Sequence, residues 1–64
     1  MFNMYIYLID MDKIIGKYKK NVPKNNIFVY KYKNDYKVLK VDKVEKDSKI
    51  LICHLARLGV NKNE

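Results

Sequence analysis

The pattern of apolar and polar residues at the start of the chain predicts a strand followed by a helix. The run 2–9 is rich in aromatic and β-branched residues and has apolar side chains on both alternation faces, which favours a buried strand. Asp10 follows in the position of a helix N-cap, and Pro23 marks a stop. Between them the spacing i, i+3, i+4, i+7 predicts an amphipathic helix over 11–20, with these apolar positions: Met11, Ile14, Ile15 and Tyr18.

The middle of the chain has the pattern of a β-hairpin. Strand-like runs at 27–33 and 36–44 are separated by Asn34 and Asp35, which tolerate the positive φ of a two-residue turn. This turn sets a register in which the residue numbers of opposing partners add up to 69. The predicted core side of the hairpin then carries three cross-strand pairs: Phe28 with Val41, Tyr30 with Leu39, and Tyr32 with Lys37.

A last strand over 49–55 completes the predicted order β-α-β-β-β, with Ile50 and Ile52 on the core face. The fold class predicted from this order is α+β, a mostly antiparallel sheet with one amphipathic helix. We expect a single domain over 1–60 and a polar, frayed tail at 61–64. An SH3-like, partly open small β-barrel is the alternative, because short consecutive strands with tight turns also suit that architecture.

The length and the scattered reactive residues argue against an enzyme. A catalytic pocket takes roughly 300 to 1,000 Å³, which would consume much of the core of a 64-residue chain. Cys53 and His54 are neighbours on a predicted strand, so their side chains point to opposite faces and cannot form a nucleophile–base pair. One Cys and one His also fall short of a zinc site. We expect no catalytic residues, no metal, no cofactor and no small-molecule substrate.

The net charge of +7 favours a polyanionic partner. A competing explanation is codon bias, since Lys, Asn, Ile and Tyr have AT-rich codons and supply half of the chain. The positions of the lysines therefore matter more than their number.

Two groups of lysines are candidate binding sites for phosphates or for an acidic protein surface. The first is a stripe on the predicted helix and just beyond it: Lys13, Lys17, Lys20 and Lys24. The second lies on the outer face of the predicted hairpin and includes one aromatic ring that could stack on a base: Lys31, Lys33, Lys40 and Tyr36.

The same outer sheet face also carries apolar side chains that one helix cannot cover. This predicted face for self-association or partner docking consists of Ile27, Val29, Val38, Leu51 and Leu55. Monomers rarely expose large apolar patches, so we expect barrel closure, a docked partner or, with slight preference, a homodimer.

The function predicted from these features is that of a small non-enzymatic basic protein that engages nucleic acid or a nucleoprotein complex through a lysine-rich face. The alternative is an inhibitor or adaptor of the phage or mobile-element type that binds a host protein complex, such as a defence nuclease. The apolar opening run lacks a basic n-region and a cleavage site and is interrupted by Asp10, which predicts neither a signal peptide nor a membrane span. Together with a single cysteine, this indicates a cytoplasmic protein, in the host cytoplasm if its origin is a phage.

Overall fold

Five strands form one curled sheet. The computed structural model of the chain describes residues 3–56, of which 63% are strand. The strands are β1 (Met4–Leu8), β2 (Lys13–Tyr18), β3 (Ile27–Tyr32), β4 (Asp35–Glu45) and β5 (Ile50–Leu55). Their order across the sheet is β2-β1-β5-β4-β3, in which β1 and β5 are parallel and the other neighbours are antiparallel. The curvature gives a half-barrel, which fits the SH3-like alternative.

The predicted α+β class is wrong, because the segment expected to be a helix is a strand. Ile9–Met11 form one short 3₁₀ turn, and β2 follows it directly. A β-bulge explains the misleading spacing: Ile6 lies opposite Gly16 and Tyr7 opposite Ile14, which leaves Ile15 as the extra residue. The extra residue interrupts the two-residue alternation of the strand, so the apolar positions match the i, i+3, i+4, i+7 spacing of a helix. No helix in the described part of the chain is long and apolar enough to cross a membrane.

Of the two acidic residues near this turn, Asp10 has a different role from the predicted one, and Asp12 shapes the turn. Asp12 adopts the left-handed conformation (φ 53°), which reverses the chain between β1 and β2. Asp10 caps no α-helix. Its Oδ1 accepts a hydrogen bond of 2.9 Å from the backbone N–H of Leu55, and so joins the turn to the end of β5.

The β3–β4 hairpin forms, with a register that differs by two residues from the predicted one. The partners are Phe28 with Leu39, Tyr30 with Lys37 and Tyr32 with Asp35. The turn therefore lies at Lys33 and Asn34, and Lys33 takes the positive φ of 59°. A shift of two residues keeps every side chain on its predicted face, because the side-chain period of a strand is two.

The core lies on the concave side of the sheet. The face of β5 that packs in the core is not the predicted one. Leu51 and Cys53 are fully buried, whereas Ile50 and Ile52 lie on the convex side and are half-buried. Leu51 is thus not part of an exposed face. The buried cluster draws on four strands: Met4, Ile6, Leu8, Phe28, Leu39, Val41, Leu51 and Cys53.

The edge strands β2 and β3 meet through side chains and not through a hydrogen-bonded ladder among the described residues. The rings of Tyr18 and Phe28 stack with their centroids 4.0 Å apart. The Tyr30 hydroxyl lies against Gly16, in the space that a Cβ would take there. This seam closes the half-barrel and brings the start of β2 to the tip of the β3–β4 hairpin.

Candidate functional site

Four lysines gather around two tyrosines at the end of the β3–β4 hairpin. This hairpin-tip cluster is defined by Lys13, Lys31, Lys33, Lys37, Tyr32 and Tyr36. The hairpin contributes five of the residues, and β2 contributes Lys13 across the seam. The far end of the hairpin reaches beyond the β5 ladder, since β5 pairs only with Leu39–Glu45 of β4. The cluster therefore projects from the half-barrel.

The Tyr32 ring is the centre of the cluster. Three ammonium groups approach its centroid: Lys33 at 5.4 Å, Lys13 at 5.9 Å and Lys37 at 6.0 Å. Cations are attracted to the face of an aromatic ring within about 6 Å, so these contacts offset part of the repulsion among the three ammonium groups. A compact patch of positive charge results.

Tyr36 lies on the other side of the hairpin with Lys31. The two residues are cross-strand partners on the convex face, and the Lys31 ammonium is 5.7 Å from the ring centroid. Tyr36 is 67% exposed, the largest exposure among the described large hydrophobic residues. Most of the ring surface is therefore open to a ligand.

Carboxylates balance little of this charge. Among the described lysines only Lys37 and Lys43 lie within 4.0 Å of a carboxylate, at 4.0 Å from Asp35 and 2.7 Å from Glu45. Asp35 is the acid of the hairpin tip, and its side chain is 78% exposed and accepts a hydrogen bond from the Tyr36 backbone N–H. An exposed ion pair at the distance limit gives little neutralisation, so the tip keeps a strongly positive field.

The lysines around Tyr32 also affect the pKa of its hydroxyl. A hydrogen bond with Lys13 has the largest effect and lowers the pKa of Tyr32 below its ordinary value; burial opposes it, and the charges of Lys13, Lys33 and Lys37 each lower the pKa further. Neighbouring cations favour the phenolate in this way because it is the negatively charged form. They would favour any other anion that enters the site for the same reason.

The stripe predicted on a helix does not exist as a common surface. Lys13 pairs with Leu8 and Lys17 with Tyr5, so the two side chains leave β2 on opposite faces. Lys17 places its ammonium 5.0 Å from the centroid of the Tyr5 ring, on the convex side. Lys20 and Lys24 are exposed in the loop between β2 and β3. Of these four residues, only Lys13 joins the hairpin-tip cluster.

The second predicted group is brought together more closely. Lys31, Lys33 and Tyr36 belong to the cluster, and Lys40 lies on the convex face with Lys31 and Tyr36, four pairs further along the ladder and opposite Ile27. Sequence reasoning missed Tyr32 and Lys37 because they fall on the core side of the ribbon. The signal that could have identified them is their position at the hairpin tip. There the core side of the hairpin extends beyond the neighbouring strand and is not covered by it.

The predicted apolar face is only partly assembled. Ile27, Val29 and Val38 lie together on the convex side of β3 and β4, and Val29 is 59% exposed. Leu55 pairs with Leu39 and so lies on the core side, at its margin, with 37% exposure. The convex face also exposes Tyr5 and Ile14, which the sequence did not indicate.

Cys53 and His54 lie on opposite faces of β5. Burial raises the pKa of the Cys53 thiol to about 12, with a further contribution from Asp42, so the thiol stays protonated at neutral pH. His54 faces outward, and its Nδ1 lies 2.7 Å from Oδ2 of Asp42. Within residues 3–56, no three His, Cys, Asp or Glu side chains group into a set that could hold a metal ion, and the surface shows no pocket.

No family model, curated protein or solved structure matches this chain.

Proposed function

We propose that this chain is a small non-enzymatic basic protein that binds nucleic acid, alone or within a nucleoprotein complex, through the hairpin-tip cluster. The observation that supports the proposal is the grouping of four lysines around Tyr32 and Tyr36, with the exposed Asp35 as the one carboxylate of residues 3–56 within 4.0 Å of any of these lysines. Polyanions gain most from such a site, since each lysine contact with a phosphate releases a condensed counterion.

The position of the lysines supports this proposal more strongly than the total charge does. Codon bias can raise the number of lysines, but it does not select their places in the fold. Lys33 occupies the left-handed conformation (φ 59°), which costs a non-glycine residue about 1–2 kcal/mol. Asn or Gly would fit that turn position with less strain. A lysine at this position puts an ammonium group at the end of the projecting hairpin.

The test compares two triple variants with the same change in net charge. The tip variant carries Lys13→Gln, Lys31→Gln and Lys33→Gln. The control variant carries Lys19→Gln, Lys20→Gln and Lys46→Gln, three exposed lysines outside the hairpin. Binding of labelled single-stranded and duplex oligonucleotides is followed by fluorescence anisotropy at several salt concentrations. Thermal unfolding checks that both variants remain folded.

We expect the tip variant to reduce the magnitude of the slope of log affinity against log salt. The reduction should be about 2 for single strands and about 3 for duplexes if all three lysines contact phosphates. The control variant should keep most of the wild-type slope. Equal losses in both variants would show that binding follows net charge alone, and absence of binding to either oligonucleotide would overturn the proposal.

A second candidate is an inhibitor or adaptor of the phage or mobile-element type that binds another protein, or a second copy of this chain, through the convex face. The observation that favours it is the exposed apolar surface there, with Tyr5 43% and Ile14 49% exposed beside the half-buried Ile50 and Ile52. Light scattering after size exclusion tests self-association. For either candidate we propose a cytoplasmic location, a reducing compartment that suits a single cysteine.

A further inference from the structure

The convex face of the β3–β4 hairpin has a composition that suits unpaired bases better than a duplex. It consists of three cross-strand rows: Lys31 with Tyr36, Val29 with Val38, and Ile27 with Lys40. Reading the edges of paired bases takes side chains grouped on an element that enters a groove, such as Arg or Lys for guanine and Asn or Gln for adenine. Methyl groups, one aromatic ring and two lysines in separate rows offer no such group. They offer apolar contact for base faces and charge for phosphates.

The order of these rows places positive charge on both sides of the apolar surface. Lys31 and Lys40 belong to the first and third rows, which are about 14 Å apart along the strands. Val29 is 59% exposed between them. A single strand can lay its backbone over the lysines at the two ends and turn its bases towards the middle, whereas a duplex keeps its base faces stacked inside.

Tyr36 is the residue on this face that can stack on a base. Its ring is 67% exposed and has the Lys31 ammonium 5.7 Å from its centroid. An exposed cation–π contact is worth less than the stacking of a base on an aromatic ring. A base can therefore displace the ammonium from the ring and leave Lys31 free to contact the adjoining phosphate.

We infer that the ligand of this site is single-stranded nucleic acid, with one base stacked on Tyr36 and the flanking phosphates held by Lys31 and Lys40. The inference rests on the proposed function and narrows its ligand class. Recognition of this kind is tolerant of sequence, since every base presents a π face and none of the three rows reads base edges.

The experiment measures the affinity of the wild-type protein and of three single variants for an oligothymidylate of about 12 nucleotides and for a duplex of the same length. The variants are Tyr36→Leu, Tyr36→Phe and the control Tyr5→Leu. Tyr5 is a matched control because it is also an exposed convex-face tyrosine, with Lys17 5.0 Å from its ring centroid, but it lies on β1. The Phe variant keeps the stacking surface and removes only the hydroxyl.

We expect Tyr36→Leu to weaken binding of the single strand about 5- to 100-fold, while Tyr36→Phe and Tyr5→Leu stay close to wild type. The duplex should bind more weakly than the single strand and respond little to Tyr36→Leu. Duplex binding as tight as single-strand binding, or a single strand insensitive to Tyr36→Leu, would overturn the inference while leaving nucleic-acid binding by the lysines in place. Failure of both oligonucleotides to bind would instead refute the proposed function itself.

Discussion

The β1–β2 and β3–β4 hairpins face each other across the seam. The charged side chains near their two turns make different kinds of contact. At the β1–β2 connection the exposed acids accept hydrogen bonds from other groups of the chain: Asp10 accepts one from the Leu55 N–H, and Asp12 accepts one from the Tyr7 hydroxyl. At the β3–β4 tip the lysines approach tyrosine rings, and among the described acids only the exposed Asp35 lies within 4.0 Å of one of them.

The difference separates charges that hold the fold from charges that remain available. Hydrogen bonds to Asp10 and Asp12 satisfy backbone and side-chain donors at a turn, which is a structural role. The ammonium groups at the opposite tip have aromatic faces as neighbours, and such contacts at exposed sites are worth only about 0.5–1 kcal/mol. A phosphate can replace them at little cost. The comparison thus favours the second hairpin as the place where the proposed ligand binds.

The largest effect we predict concerns the seam where the two hairpins meet. In Gly16→Ala, the new Cβ would overlap the Tyr30 hydroxyl and lie 2.9 Å from Cζ of the same ring. Overpacking of this kind costs about 1–3 kcal/mol, a large share of the stability of so small a domain. Urea unfolding monitored by circular dichroism measures the loss.

The same substitution in a Tyr30→Phe background provides the control. Removal of the hydroxyl takes away the closest contact and leaves the one with Cζ, so the penalty of Gly16→Ala should become smaller without vanishing. A Gly16→Ala protein as stable as the wild type in both backgrounds would show that the hairpins do not pack against each other through this pair.

A smaller effect concerns the turns of the sheet. Lys33 and Lys49 both have positive φ, 59° and 57°, and asparagine tolerates this conformation better than lysine does. We expect Lys33→Asn and Lys49→Asn each to raise the free energy of unfolding by about 0.5–1 kcal/mol. Thermal unfolding gives the comparison.

These two variants should differ in binding. Lys33 belongs to the hairpin-tip cluster, so Lys33→Asn should weaken oligonucleotide binding although it stabilises the fold, whereas Lys49→Asn should stabilise the fold alone. Equal binding by the two variants would argue against a special role of the tip.

The sequence predicts the second hairpin well and the first one poorly, for a physical reason. The alternation from Ile27 onward is regular, and moving the turn by one residue shifts the register by two, so the register error left Lys31 and Tyr36 on the predicted surface. Lys33 lies in the turn itself, and its ammonium approaches the Tyr32 ring on the other face. In β2 the bulge at Ile15 disrupts the alternation that identifies a strand. Local propensity cannot reveal such an irregularity, because it is set by the pairing of β2 with β1.

Two further features depend on contacts that are distant in sequence. β5 is apolar on both faces, so its pattern could not decide that Leu51 is buried and Ile52 is not; its pairing with β1 and β4 decides it. Lys13 reaches Tyr32 only because the sheet curls. The candidate site could thus be predicted as far as it lies on one hairpin, and its centre at Tyr32 could not.

The smallest effect we predict is a pair of opposite ionisation shifts, one in each hairpin. The hydrogen bond to Asp12 raises the pKa of Tyr7, with burial and the Asp12 charge adding to it, whereas Lys13 and its neighbours lower the pKa of Tyr32. Tyr32 should therefore titrate at lower pH than Tyr7, on either side of the ordinary value of 10.0. Resonances of the tyrosine rings followed by NMR as the pH rises measure both.

The two shifts affect stability with opposite signs. Because the pKa of Tyr32 is lower in the folded chain, its contribution grows as the pH rises through the folded pKa and is complete above the unfolded value; that of Tyr7 is present below the unfolded value and is lost as the pH rises through its raised pKa. Lys13→Gln should move the pKa of Tyr32 upward and Asp12→Asn that of Tyr7 downward, each without affecting the other residue. If Tyr32 instead ionised at higher pH than Tyr7, the lysines would not create the positive field from which we infer an anionic ligand at that hairpin.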